Sequence, residues 1–339
     1  MTVAARSAEE HPARNEPRAR RWRPRVLLGV VVLLWAGLMF PLAFWGLPTA
    51  HNDDLLFGGT APWPADRYGL GQALAERQSR RAGADTDLNP LAERERVVDL
   101  TADEAARAEI LRRYRLFSGQ PDEMITLMAL QRMRPRAGDF DPQMYQYGGA
   151  YIYMVGAVLG GARLVGIIPR GADAGFYLEH PDVFGRFYVV ARCLSLVFAA
   201  LALVAVYHLG QRAGGATTGW LALALAAGAP VFITQALEAK PHLPSACLIL
   251  WAILSALDYR ATGRTRDALK MGAQAGFACG LVLTGVVAAL LWPALLLARP
   301  GHARRAALRD LGLAAAVAAA VYAATNPFLV RNLLFARGA

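Results

Sequence analysis

Seven apolar stretches separated by polar or arginine-rich segments set the pattern of the chain. The first, Val26 to Leu47, offers about 22 nearly uncharged residues, enough at about 1.5 Å per residue to cross a hydrocarbon core of roughly 30 Å. Phe187 to Leu209, Gly219 to Ala236 and Leu311 to Val330 have the same character, and Leu243 to Leu257 is a shorter version. Two stretches are ambiguous. Gly148 to Pro169 carries six glycines and Arg163, and Ala273 to Leu297 contains Gly280, Gly285 and Pro293. Between the first and second stretches lies a polar segment of about 100 residues, far too long for a passive connector. Within it Thr101-Ala-Asp-Glu104 forms a capping box ahead of a helix through Tyr114. Pro121-Asp-Glu123 opens another helix, whose Met124, Ile125, Leu127, Met128 and Leu130 suit a membrane or protein surface. Residues 60–89 read as irregular loop.

Charge placement orients these elements. Arg18, Arg20, Arg21, Arg23 and Arg25 precede the first stretch, so the positive-inside rule puts the N-terminus in the cytoplasm, with residues 1–25 as a disordered basic tail. The linker 210–216 carries Arg212 and no acid, and 258–272 and 298–310 carry four basic residues each; all three read as cytoplasmic, whereas 170–186, with Asp173, Glu179 and Asp182, does not. Both hold together if Gly148 to Pro169 stays on the outer side as an interfacial or re-entrant helix and Ala273 to Leu297 turns back near Thr284-Gly285. Strict alternation of seven spans is the competing topology. The first reading gathers Asp53-Asp54, Asp141 to Tyr147, Glu179 to Arg192, Glu238 to His242 and Asn326-Pro327 at the outer surface. The expected fold is an all-α polytopic membrane protein: first span 26–47, outer loop 48–146 with juxtamembrane helices, and a helix bundle over 147–339.

Composition agrees. The 339 residues are 55% hydrophobic, with mean hydropathy +0.29. The net charge of +10 is accounted for by arginines at span ends and anionic headgroups, which argues against nucleic acid as a partner. Cys193, Cys247 and Cys279 lie in apolar runs without metal-ligand spacing. The first stretch is too long for a signal peptide and lacks a small-residue cleavage site, so it reads as an uncleaved anchor. The Ala- and Arg-rich usage points to a bacterial inner membrane.

His51-Asn-Asp-Asp54 follows the first span directly. Two carboxylates there are either a solvated cap or the acidic half of a site working on something held in the membrane. The pair resembles the first-loop acidic motif of the C-type glycosyltransferases, in particular the protein O-mannosyltransferase-like and lipid A aminoarabinose transferase-like branch. Asp141-Pro-Gln-Met-Tyr-Gln-Tyr-Gly-Gly-Ala-Tyr-Ile-Tyr153 resembles the family's aromatic or His, then Pro-Pro-Leu-Tyr segment; Ala191-Arg-Cys-Leu-Ser195 and Gly210-Gln-Arg212 resemble the start and end of one of its spans. Pro230 stands where the next span has its Pro. The resemblance runs from about residue 26 onward. It departs where Gly148-Gly149 replaces Pro-Pro and where Lys240-Pro-His242 puts His242 at the family's Asp. Relatives continue beyond the position of Ala339 with further spans, so the expectation is a shortened enzyme, one half of a split system or a fragment.

The resemblance implies a membrane glycosyltransferase that moves a sugar from a polyprenyl-phosphate donor to a lipid, glycan or protein acceptor at the outer membrane face. Such transfer needs a carboxylate to deprotonate the acceptor and cations to hold the leaving phosphate. Asp53 or Asp54 suits the first role, and one of the two would hold a divalent cation, Mg or Mn, if a metal is used. Arg192, inside its span, suits the phosphate or snorkels to the interface. Arg186 reads as a second phosphate contact or an anchor. Lys240 fits phosphate, His242 a ligand or base, and Tyr147 a sugar platform or part of an aromatic belt. Glu238 is placed to pair with Lys240. The alternative is a non-catalytic or partial subunit, binding or flipping the donor and completed by a second membrane protein. A transporter is the third class; it calls for more polar residues deep in the spans than this chain has.

Overall fold

The structure, a computed structural model, describes residues 18–51, 113, 115–171, 174–290, 292 and 304–335. Among these it is all-helical, with no strand and one isolated bridge between Arg134 and Asp139. Four helices are long and apolar enough to cross a membrane, the architecture of a helical membrane protein.

Helix α1 (Arg18–Met39) continues into a 3-10 turn, Phe40–Phe44. It begins eight residues before the apolar run, so the helix takes over the last third of the expected disordered tail. Arginine is a good helix former, and a helix nucleated in the apolar run propagates back through it. Leu28 and Val32 are buried against Leu203, Tyr207 and Leu223, whereas Leu33, Leu34 and Leu38 are about 70% exposed. An apolar helix with one packed face and one open leucine face suits lipid, where the open face costs nothing.

Short α2 (Glu123–Arg132) and α3 (Gly149–Leu164) follow, then α4 (Ala174–Glu179). The long α5 (Pro181–Gly228) folds back on itself where Gly214 and Gly215 leave helical geometry, with Gly215 at φ 86°. That positive φ demands glycine. The two arms pack closely enough that a side chain at Gly219 would strike Tyr207. The second arm stops at Ala229, and α6 (Pro230–Ala236) completes the return. The expected single span 219–236 is therefore two pieces, because Pro230 has no N–H to continue the ladder. Helix α7 (His242–Thr262) is longer than the apolar run predicted, and α8 (Thr265–Leu281), α9 (Arg304–Thr325) and α10 (Pro327–Phe335) complete the described elements.

The bundle has two polar ends. At one, Arg212 pairs with Asp258 (2.6 Å), and Asp310 accepts from Tyr259 (2.8 Å) and Thr265 (3.2 Å). At the other, Arg192 reaches Trp45 O (2.7 Å), Gly148 N donates to Leu281 O (2.9 Å), and Asn326 meets Gly149 N (2.6 Å) and Gly280 O (3.3 Å). From Arg192 to Arg212 the helix rises about 30 Å, one hydrocarbon thickness.

Both ambiguous stretches resolve on this frame. Helix α3 starts at Leu281 and Asn326 and ends with Arg163 over Phe187 (5.8 Å) and Ile167 O bound by Arg186 (3.0 Å). Gly185, beside Arg186, packs on Leu47 at the end of the first span, so α3 begins and ends at the same end of the bundle. Helix α8 breaks at Val282, and a 3-10 turn, Leu283–Val286, reverses the chain. Ala288 and Trp292 then pack beside Tyr259 and Met271, so the chain does turn back near Thr284-Gly285. Helix α9 next runs parallel to α8. Gly272 and Gly276 sit against the backbone at Ala314 and Ala318, and Gly280 against Thr325, a spacing of four that lets two helices touch.

Candidate functional site

The second polar end converges on α2. Pro121 and the N-terminal Asp122-Glu123 pair hold the start of this helix, and the two carboxylates have opposite fates. Glu123 is buried, its side chain 0% exposed. Its Oε1 accepts from Arg192 Nε (2.9 Å) and Ala239 N (2.7 Å); its Oε2 accepts from Arg192 Nη2 (2.7 Å) and Ser118 Oγ (2.5 Å). Arg192 Nη1 donates both its hydrogens to chain, at Ala43 O (2.8 Å) and Trp45 O (2.7 Å). Four of the five N–H donors of Arg192 are thus used inside the protein. This corrects its assignment as the phosphate holder. A cation about three turns into a long apolar helix is costly unless paired, and here Glu123 from another element pairs it.

Asp122 is 57% exposed. Its Oδ2 lies 3.1 Å from Lys240 Nζ, which also meets Glu238 Oε2 at 3.3 Å. The Lys240 side chain is only 10% exposed, and Glu238 is held in turn by Gln120 Nε2 (2.5 Å) and Gln235 Nε2 (3.0 Å). Burial alone would lower the Lys240 pKa; the hydrogen bond to Asp122 and the charge of Glu238 outweigh it and raise the value, so the ammonium is firmly charged. The expected Glu238 to Lys240 pair is present.

Tyr147 lies alongside, buried, with its ring edge-on to Tyr151 (6.2 Å) and His242 (6.1 Å). Burial, reinforced by the charges of Asp122, Glu238 and Glu123, pushes its phenol up to about 12, so it is a neutral hydroxyl. His242 opens α7 and is exposed. Gly148 is fixed by packing: a Cβ there would overlap the backbone of Gly280. Tyr147, Lys240 and His242 are therefore brought together. Arg186 does not join them: it is exposed, and its Nη1 donates to Ile167 O (3.0 Å), the anchor reading.

A neighbouring cluster closes the same end. Buried Asp141 accepts from Gln143 N (2.9 Å) and Tyr145 Oη (2.5 Å), and lies 3.4 Å from Arg331 Nη2 and 3.3 Å from Asn332 Nδ2. It docks α10 onto the loop before α3. Along α2, a groove of about 710 Å³ is lined by Met124, Leu127, Leu130, Tyr153, Phe184 and Phe187, with Arg163 at its rim.

Asp53 and Asp54 lie outside the described residues, as does the capping box at Thr101. The chain leads toward the aspartates from Trp45, beside Arg192. Among the described residues no three His, Cys, Asp or Glu side chains converge on a point, and the position between Asp122 and Glu238 is taken by an ammonium. The residues expected to hold Mg or Mn, Asp53 or Asp54, are themselves outside the described residues.

The sequence reading took Asp122-Glu123 only as a helix start. The signal was available: a further adjacent acidic pair, at the start of an amphipathic helix. No family model matches the chain, and neither a curated protein nor a solved structure is similar enough to it to count as a match.

Proposed function

We propose that this chain is a membrane glycosyltransferase that moves a sugar from a polyprenyl-phosphate donor to an acceptor hydroxyl at the membrane surface. One observation carries the reading: an exposed carboxylate, Asp122, sits 3.1 Å from a charged, nearly buried ammonium, Lys240, at the end of an apolar helix bundle. Asp122 is the group open to solvent and able to take the acceptor proton. The acceptor oxygen forms its bond to the anomeric carbon as the bond from that carbon to the phosphate oxygen breaks, and the electron pair leaves on the polyprenyl phosphate. Lys240 Nζ has three hydrogens, two directed at Asp122 and Glu238; the third is available to the departing phosphate. Tyr147 offers a neutral hydroxyl for the sugar. The apolar groove beside Met124 gives the isoprenoid chain a place to lie.

The test is transfer of radiolabelled sugar from polyprenyl-phosphate donors in membranes holding this chain alone, with Asp122→Asn, Asp53→Asn and Asp54→Asn at matched protein levels. Loss with Asp122→Asn, by about 100-fold or more for removal of a general base, supports the reading. Wild-type rates in Asp122→Asn, with loss in an Asp53 or Asp54 variant, would move the base to the first loop. Donor binding that depends on Lys240, without transfer from any donor, would make the chain a binding subunit needing a partner.

A further inference from the structure

The opposite end of the bundle holds a second cavity, unrelated to the Asp122 site. Its volume is about 690 Å³, and four helices line it: α1 with Arg25 and Leu28, α5 with Tyr207, His208 and Arg212, α7 with Trp251, Leu254 and Asp258, and α8 with Lys270 and Gln274. Three permanent cations face one carboxylate. Asp258 is bound to Arg212 at 2.6 Å, and Lys270 has only a 4.0 Å contact to Asp267. Arg25 forms no ion pair with a described residue. Arg25, Arg212 and Lys270 against Asp258 leave an excess of two positive charges in the lining of the cleft. Beneath these lie Leu28, Tyr207, Trp251 and Leu254, with the Trp251 indole N–H directed to Leu201 O (3.3 Å).

Cationic rim and apolar floor together select an amphiphile: a phosphate for the guanidinium and ammonium groups, and a short apolar stem for the floor. We propose that this cleft binds a phosphate-bearing headgroup, that of an anionic phospholipid. It lies about 30 Å along α5 from Arg192, one bilayer core away from the exposed carboxylate. Arg212 is held in place by Leu254 O (3.0 Å) as well as Asp258, so part of the cation set is preorganised. A soluble glycerol phosphate carries the same chemistry and is the competing source.

The experiment uses the full chain with the double variant Arg25→Gln/Lys270→Gln, and the charge-conserving Arg25→Lys/Lys270→Arg as folding control. Native mass spectrometry reads lipid retained from bilayers of equal phosphatidylglycerol and phosphatidylcholine; calorimetry in detergent reads glycerol phosphate. Each cation near a membrane surface contributes about fivefold to anionic lipid binding, so the preference for phosphatidylglycerol falls about thirtyfold in the Gln pair and stays in the charge-conserving pair. Glycerol phosphate binding with the same dependence, and no lipid preference, would assign the cleft to a soluble phosphate. If neither ligand responds to the Gln pair, or phosphatidylglycerol is not preferred in the wild type, the proposal is overturned. Sugar transfer at the other end is left intact in either variant, which separates this test from that of the proposed function.

Discussion

Glu123→Gln changes one atom and leaves volume almost untouched, yet it removes the charge on which four hydrogen bonds from three residues converge. In the wild type both Glu123 oxygens accept two donors each, and the Arg192 side chain is 5% exposed. The amide keeps one acceptor oxygen and turns two hydrogens toward groups that are themselves donors. Removing one partner of a buried pair costs about 3–5 kcal/mol, because the surviving charge is left uncompensated. For a chain of this size each kcal/mol lowers the melting temperature by about 2 °C, so a fall of about 6–10 °C follows. Thermal unfolding in detergent, read by fluorescence, measures it. The partner variant Arg192→Met should cost a comparable amount, while Arg192→Met combined with Glu123→Gln should recover part of the loss, since the uncompensated charge is gone. A Glu123→Gln melt within a degree of wild type, or strictly additive losses in the double variant, would refute the buried pair as the clamp of this end.

Glycine to alanine should act with opposite sign at two places. Gly276→Ala drives a methyl into the Ala318 backbone and costs about 1–3 kcal/mol by overpacking; Gly312→Ala, with nothing within 4 Å, gains about 0.5–1 kcal/mol of helix propensity. Melts of the two variants check this, and equal effects would mean that α8 and α9 are not in backbone contact. Alkaline stability should track Tyr147 and Lys240. Both have raised folded-state pKa values, so each stabilises fully below its ordinary value and the contribution disappears as pH rises through the folded one. The melting temperature should hold to about pH 10 and fall toward pH 12, less steeply in Tyr147→Phe; parallel curves for both proteins would contradict the burial of this phenol.

The chain reversal after α8 falls at the Thr284-Gly285 position where loop charge placed a turn, because charge at the loops restricts where both termini of a segment can lie. The linker 210–216 was legible from its charge and contains the turn at Gly215, whereas the break at Pro230 was missed because it lies inside an apolar run that reads as one span. The pairing of Arg192 was not legible. Its partner is 69 residues away in a polar loop, and no local periodicity links an amphipathic surface helix to a cation inside a span. Arg192 therefore looked available for substrate, and Asp122, which becomes the exposed acid only because its neighbour is consumed, looked like helix-start chemistry. Lys240 and His242 drew notice because they flank Pro241 between two spans, and Tyr147 because it stands next to Gly148-Gly149. The neighbouring Asp141, Arg331 and Asn332 contact joins residues 190 apart, beyond any spacing argument.

The four-way grip on Glu123 also sets an order of assembly during synthesis. Its ligands lie at residues 118, 192 and 239, so the carboxylate emerges before both the guanidinium and the last amide that bind it. At roughly 5–20 residues per second, Arg192 follows Glu123 by about 3–14 s. A span carrying a buried arginine thus enters the bilayer with its counter-ion already made, and the amide of Ala239, arriving later still, latches the assembly once the α5 hairpin has returned.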